Sequence, residues 1–489
     1  MDSHVIGWIF FGIYVAFMAY ATYLGLRQSK GLASFSVGNR QINPIWVGLS
    51  LAANLTSAAT FVINPGLVYH FGMAGFLGYA VATPLGIMVG LIVVSKSFRR
   101  VGDQFAVLTV PQWIGDRFGD KRLTLFYAFL SLLLITFLVL ITVGLARVLG
   151  ALLGIDLLVA IAIVIILPLV AIFLGGAGAH ILINSVQALI MLVVALILLG
   201  SGISYFGDGL GGFLHKLGAI DPFLAQPINP KSALFRNFFE VYVANFMIGV
   251  AVIMQPHIIS KALYLKTESD VNKYLTTGLV TVFFFFMVLI VGAFARIQLN
   301  DPSLAVDAVM PRYLTDHFGP VVRGIVALGL LSAGFSTMEG LLVSLSAIFA
   351  NDVYKNLFPQ PAKSQEEVDQ QALRYGKGFL VVLAPVLFLI SVSQIKPDLS
   401  VAMLAQNGVY GLFAATFAPV LFGVFSKRLA KMGVLATALT ALVIHFGMTY
   451  GKITFMSNNP AVPATFALIG SLLVATLFAL SNRLSSHKV

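Results

Sequence analysis

Apolar runs of about 20 residues recur along this chain from one end to the other, and no other feature constrains its fold as strongly. A helix of that length crosses ~30 Å of hydrocarbon and satisfies its backbone polar groups internally. The runs are continuous rather than alternating, which excludes a β-barrel. The 489 residues are 59% hydrophobic and only 10% charged, a composition no soluble globular domain has. Hydropathy predicts about thirteen spans: 6–25, 44–70, 73–95, 123–150, 156–174, 179–203, 237–260, 274–298, 321–350, 378–395, 400–425, 433–451 and 463–482. The first run follows only MDSHV, with no basic stretch before it and no small-residue cleavage site, so it reads as a retained helix. The expected class is an all-α polytopic membrane protein, a single transmembrane domain over residues 1–489.

The net charge of +11 fits basic loops on the cytoplasmic side of a bilayer better than a nucleic-acid partner, and none is expected. With thirteen spans the termini lie on opposite sides. An outside N-terminus and a cytoplasmic C-terminus put 21 of the 30 basic residues in inner loops, among them Lys30, Arg99, Lys261, Lys427, Arg428 and Lys488. The expected location is the cell membrane, a bacterial inner membrane. There is no cysteine, which removes disulfides, thiolate metal sites and thiol catalysis. Nor is there an HExxH, a GxSxG or a pair of intramembrane carboxylates, so an enzyme is not expected. The loop at 204–236 is Gly/Pro-rich, and KSQEEVDQQ in the loop at 351–377 reads as a solvated amphipathic turn. The oligomeric state is not legible.

Four stretches carry more than hydropathy. The second span, LSLAANLTSAATFVINPGLVYHFG, holds small residues, an Asn, hydroxyls and a Pro-Gly, the composition of a helix that can unwind and free carbonyls for an ion. The sixth opens GGAGAHILINSVQALIML, the seventh ends QPHIISKALYLKTESDVNK, and the ninth ends SLSAIFANDVYKNLF. In this order the four resemble the sodium:solute symporter family over nearly the whole chain. The resemblance implies a LeuT-type fold, two inverted five-helix repeats preceded by one helix and followed by two. It divides the chain into a leading helix and loop (1–43), a first repeat (44–203), a second repeat with an outer loop (204–425) and two C-terminal helices (426–489). Core helix 1 is then 44–70 and core helix 8 is 321–350. The implied activity is sodium-coupled symport of a small organic solute by alternating access, with Na+ the bound ion and solute, sodium and bilayer the partners.

In that family a shared sodium site uses two carbonyls of core helix 1, one of core helix 8, and two adjacent hydroxyls of core helix 8. Matching AANL implies the carbonyls of Ala52 and Leu55. Matching AGFST implies Ala333, Ser336 and Thr337, which share one helical face. The same hydroxyls can instead bond back to carbonyls a turn earlier, as hydroxyls in membrane helices often do.

Glu339 stands deep in the ninth span, where an ionised acid costs at least ~2.5–3.5 kcal/mol. Many family members carry an Asp on core helix 5 where this chain has Asn184, three residues before Gln187. Members with a second sodium site pair that Asp with hydroxyls at the positions of Glu339 and Gly340. Against that pattern the chain lacks the acid at 184 and has one at 339, as expected if the acid has moved across one small cavity. Glu339 with Asn184 is expected to hold a second cation or to carry a proton, the alternative being a protonated acid without a role in coupling. The resemblance places solute ligands at Asn54, Thr56, Ser57 and Ala59, at Gln255 and His257, and at Gln406 and Asn407. Arg147, in GLARVLG, resembles the GGAR of the pantothenate and proline branches and is expected to snorkel to the headgroups. The solute expected is carboxylate-bearing: pantothenate, a monocarboxylate or an amino acid such as proline. The alternatives are a proton-coupled carrier using Glu339, a sugar-type solute, and a transporter-like membrane sensor. The last is disfavoured by a chain that ends at NRLSSHKV with no kinase.

Overall fold

A computed structural model describes residues 3–28, 31–40, 42–57, 59–395, 400–426, 429–453, 456 and 459–486. Among the basic residues assigned to inner loops, Lys30, Lys427, Arg428 and Lys488 lie outside the described residues. The described residues hold helices and no strand. Among the described residues ten helices are long and apolar enough to cross a membrane, or up to twelve spans if each of two bent pairs counts as one. We number these spans α1 (Ser3–Gln28); α2a (Pro44–Leu55) and α2b (Ala59–Phe71); α3 (Met73–Gln104); α4 (Lys121–Leu153); α5 (Leu157–Gly200); α6a (Phe239–Val252) and α6b (Pro256–Tyr264); α7 (Asp270–Leu299); α8 (Pro320–Leu357); α9 (Gln365–Ser393); α10 (Val401–Phe425); α11 (Lys431–Tyr450); and α12 (Ala461–Asn482).

The expected count of thirteen requires dividing α5, whose 44 residues would be about 66 Å of straight helix. Its backbone leaves helical geometry at Gly176, at φ 55° and ψ −147°. That is left-handed territory, and a Cβ there would stand 2.6 Å from the Phe35 ring. Only glycine fits both demands.

The two bent spans break for different reasons. In α6, Pro256 opens α6b, and a proline forces the residue before it out of helical geometry. Gln255 accordingly sits at φ −62°, ψ 130°, and the halves meet at 62°. In α2 the agents are hydroxyls. Thr56 is extended at φ −116°, ψ 104°. The Ser57 hydroxyl accepts from the Ala59 amide at 3.2 Å, and the Thr60 amide donates to the Ser57 carbonyl at 2.9 Å. Side chains that bond locally to the backbone compete with the helix ladder.

Helix α8 is the hub. Every residue from Gly329 to Val343 is buried, and its glycines admit neighbours on three sides. A Cβ at Gly329 would meet Val194 on α5, one at Gly334 would meet Leu145 on α4, and one at Gly340 would meet Asn54 on α2a. Small residues at such crossings are how membrane helices pack without a hydrophobic drive between them.

The two ends of the bundle differ in what ties them. One end, here the basic face, joins α3 to the loop before α7 through Arg99, which donates to the carbonyls of Leu265 (3.2 Å) and Lys266 (2.6 Å). Lys355 pairs with Asp369 there at 2.6 Å. KSQEEVDQQ is the start of α9, with Ser364 and Glu367 forming a capping box, so it is helix rather than a turn. At the opposite face Arg147 pairs with Asp307 in the loop between α7 and α8, a partner the snorkelling expectation did not include. Glu240 near the start of α6a and Asp352 near the end of α8 are both fully buried. Arg236 holds Glu240 at 2.6 Å, and the Thr109 hydroxyl donates to Asp352 at 2.6 Å.

Candidate functional site

The break in α2 faces the middle of α8. The Ser336 hydroxyl lies 3.0 Å from the Ala53 carbonyl oxygen and 2.9 Å from that of Ala333. The Thr337 hydroxyl lies 3.5 Å from the Thr56 carbonyl and 3.3 Å from that of Ala333. Five oxygens therefore converge: three carbonyls and two hydroxyls, with separations of 2.9–3.5 Å. Neighbouring ligands of a hard cation bound at ~2.4 Å stand about 3.4 Å apart. Neutral oxygens in this number suit a monovalent cation, and the residues present fit one.

The α2 carbonyls that meet α8 are those of Ala53 and Thr56, each one residue on from the pair that AANL picked out. The Ala52 carbonyl accepts instead from the Thr56 hydroxyl at 2.6 Å. Among the described residues no α8 hydroxyl bonds to Ala52 or Leu55. One residue is a 100° turn about a helix, so a one-residue slip selects a different face. Both back-bonds to Ala333 are present as well, so the two expected uses of Ser336 and Thr337 share one geometry.

On the side of the break away from the basic face lies a cavity of ≈ 160 Å³. Asn54, Ser57, Ala59, Gln255 and Gln406 line it. Thr56, His257 and Asn407, expected beside them, are not among its lining residues. The Thr56 hydroxyl is committed to Ala52, His257 is buried with both ring nitrogens unbonded, and the Asn407 carbonyl faces His445 Nε2 on α11 at 2.9 Å. Further polar groups that the sequence reading missed also reach the cavity: Thr60, Asn64, Tyr79, Thr83, Asn245 and Tyr410. None of its lining residues is charged.

Asn54 joins cavity and cradle. Its amide donates to the His257 carbonyl at 3.3 Å, and its side-chain oxygen accepts from Asn184. Asn184 also donates to the Ser336 carbonyl at 3.2 Å. Asn184 and Glu339 turn to different partners. Glu339 is wholly buried and accepts from Gln187 at 3.2 Å, while Gln187 also donates to the Tyr14 hydroxyl at 2.7 Å. The other carboxyl oxygen, Oε2, lies 3.9 Å from His180 Nδ1. Beyond the imidazole, Lys261 Nζ is 3.1 Å from His180 Nε2 and donates to the Ser50 hydroxyl at 2.7 Å. Sequence reasoning counted Lys261 with the inner loops, whereas it is 1% exposed. One signal was available: His180, Asn184 and Gln187 repeat at helical spacing, so one face of α5 is polar inside the bundle.

Two broken spans around an unbroken hub, with a set of neutral oxygens beside a cavity, are the parts from which secondary transporters build their ion and solute sites. The family model for the sodium:solute symporter family matches residues 35–441, and the chain belongs to that family. It is 25% identical over 491 residues to the sodium/pantothenate symporter of Haemophilus influenzae, covering 98% of this chain and 96% of that one. It is also 25% identical to sodium/proline symporter 2 of Staphylococcus saprophyticus, over 88% of this chain and 84% of the relative. A solved structure of a Na+-coupled sialic acid symporter, substrate-bound and outward-open, superposes with a TM-score of 0.76 at 18% identity, covering 97% of each chain. The fold is thus LeuT-type, the protein is a multi-pass membrane transporter rather than an enzyme, and sodium is its coupling ion.

Proposed function

We propose that this protein carries a small carboxylate-bearing solute together with sodium, and that the ion sits between the break in α2 and the middle of α8. The observation that carries the ion site is the convergence of the Ala53, Thr56 and Ala333 carbonyls with the Ser336 and Thr337 hydroxyls. Ala53 and Thr56 take the places the family match gave to Ala52 and Leu55. Sodium there pulls the break of α2 against α8 and fixes the wall of the cavity. Solute then binds against Asn54, Ser57, Gln255 and Gln406, with Asn54 as the link between the two. The repeats 44–203 and 204–425 move against each other around this point, and the basic face is the cytoplasmic one. For a zwitterion such as proline, one sodium moves one net charge, and that charge crossing 100 mV supplies ~2.3 kcal/mol, enough for a roughly 50-fold gradient.

The carboxylate reading is supported by the relatives, since pantothenate and proline are both carboxylates. An uncharged lining fits it if the carboxylate is met by the bound sodium and the positive end of the α2b dipole. The same lining, rich in carboxamides, also fits a neutral polyol such as a sugar. Uptake into sodium-loaded and sodium-free proteoliposomes separates the two. Labelled pantothenate or proline should accumulate only with an inward sodium gradient, and glucose should not. Glucose accumulation with neither acid moving would replace the carboxylate reading.

A further inference from the structure

Lys261 is a lysine almost fully removed from solvent, at a depth where a positive charge needs compensation. Its two polar neighbours are Ser50 on α2a, at 2.7 Å, and His180 on α5, at 3.1 Å, and neither is an anion. An ammonium has no acceptor, so the His180 nitrogen facing it presents a lone pair, and the ring proton sits on Nδ1. Nδ1 points at Glu339 Oε2, 3.9 Å away. Both atoms lack a hydrogen-bond partner among the described residues, and they are complementary, one a donor and the other an acceptor. The imidazole therefore lies between the Lys261 amine and the Glu339 carboxyl, 3.1 Å from the one and 3.9 Å from the other.

Among the described residues no other cation serves this acid. Tyr14 reaches Glu339 only through Gln187. From α6b, His257 lies four residues before Lys261, and the Tyr264 ring stands 5.8 Å from the ammonium. Helix α2a offers the neutral Ser50 and Asn54, and Arg99 on α3 is spent on the carbonyls of Leu265 and Lys266. We infer that Lys261 is the resident counter-ion of Glu339, acting through His180, and that its ammonium does the work of a second sodium beside that acid. The carrier then binds one sodium per chain. This rests on the sodium site proposed above, and it gives the carboxylate in the middle of α8 a reason to be there: it compensates a lysine from another span. The tie also fastens α2a, α5 and α6b together on the basic-face side of the cradle, so Lys261 is a positioning residue rather than a sodium ligand.

The test is saturation binding of 22Na+ to the purified full chain, counted per protein. The wild type should bind one sodium. Lys261→Met should bind two, and Lys261→Met combined with Glu339→Gln should return to one. Two ions on the wild type, or one on Lys261→Met, would overturn the inference and leave the proposed sodium site standing. No sodium on the wild type would overturn both. Melting temperatures give a second readout. Each single variant should melt well below the wild type, and the double variant should melt no lower than either single. Losses that simply add would show that Lys261 and Glu339 are not partners, and would also overturn the inference.

Discussion

Helices α2 and α8 cross the middle of the molecule side by side and build the same cradle by opposite means. Helix α2 gives up its ladder at Thr56 and Ser57 and offers backbone carbonyls. Helix α8 runs unbroken through the same depth and offers side-chain hydroxyls. The division has a mechanical logic. An unwound segment can move by small backbone rotations, whereas a continuous buried helix cannot, so the proposed site sets one adjustable wall against one rigid wall. On that proposal a shift of the α2 wall changes sodium affinity, and Asn54, bonded to the His257 carbonyl and to Asn184, links the cavity to it.

Crowding the junction should have the largest effect. In Gly340→Ala the new methyl would stand 2.3 Å from the Asn54 amide nitrogen, and overpacking of this kind costs ~1–3 kcal/mol. The expected outcome is a lower melting temperature together with a weaker sodium response, because Asn54 is pushed toward the cavity. An unchanged sodium response would mean that the two walls are not linked through Asn54. Next comes loss of one ligand from the rigid wall. Ser336→Ala should raise the sodium concentration for half-maximal uptake about tenfold, equivalent to ~1.4 kcal/mol, without loss of folded protein. The smallest effect is expected far from both walls. Arg147→Gln removes an ion pair whose members are 29% and 27% exposed, so stability should fall by less than ~1 kcal/mol and sodium affinity should not change. A shift in sodium affinity there would mean that the opposite face also sets the cradle.

The same contrast explains what the sequence disclosed. Side chains announce themselves, so Ser336, Thr337, Glu339 and the break-prone composition of α2 were all legible. Proline too is explicit, yet the break that Pro256 makes in α6 was not drawn from QPHII. Carbonyls are anonymous: each residue has one, and the run LAANLT does not reveal which of them faces a neighbour. The α8 hydroxyls accordingly meet the carbonyls of Ala53 and Thr56, one residue on from the Ala52/Leu55 pair that the family match implies. Lys261 was misread for a related reason. A basic residue followed by KTESDVNK patterns as loop, and only the packing of α2a and α5 against α6b shows it to be interior. The family resemblance supplied the fold, but the partner of Glu339 lies 78 residues away in sequence and no spacing rule connects them.

The most direct test of the sodium cradle is the unfolding temperature of the purified protein against NaCl, with total salt held constant by a bulky organic cation chloride. The melting temperature should rise and saturate with sodium, since an ion that binds only the folded state stabilises by mass action, and Thr337→Ala should abolish the rise. A wild-type curve that stays flat, or a Thr337→Ala curve that still rises and saturates at the same sodium concentration, would contradict the placing of the ion between α2 and α8.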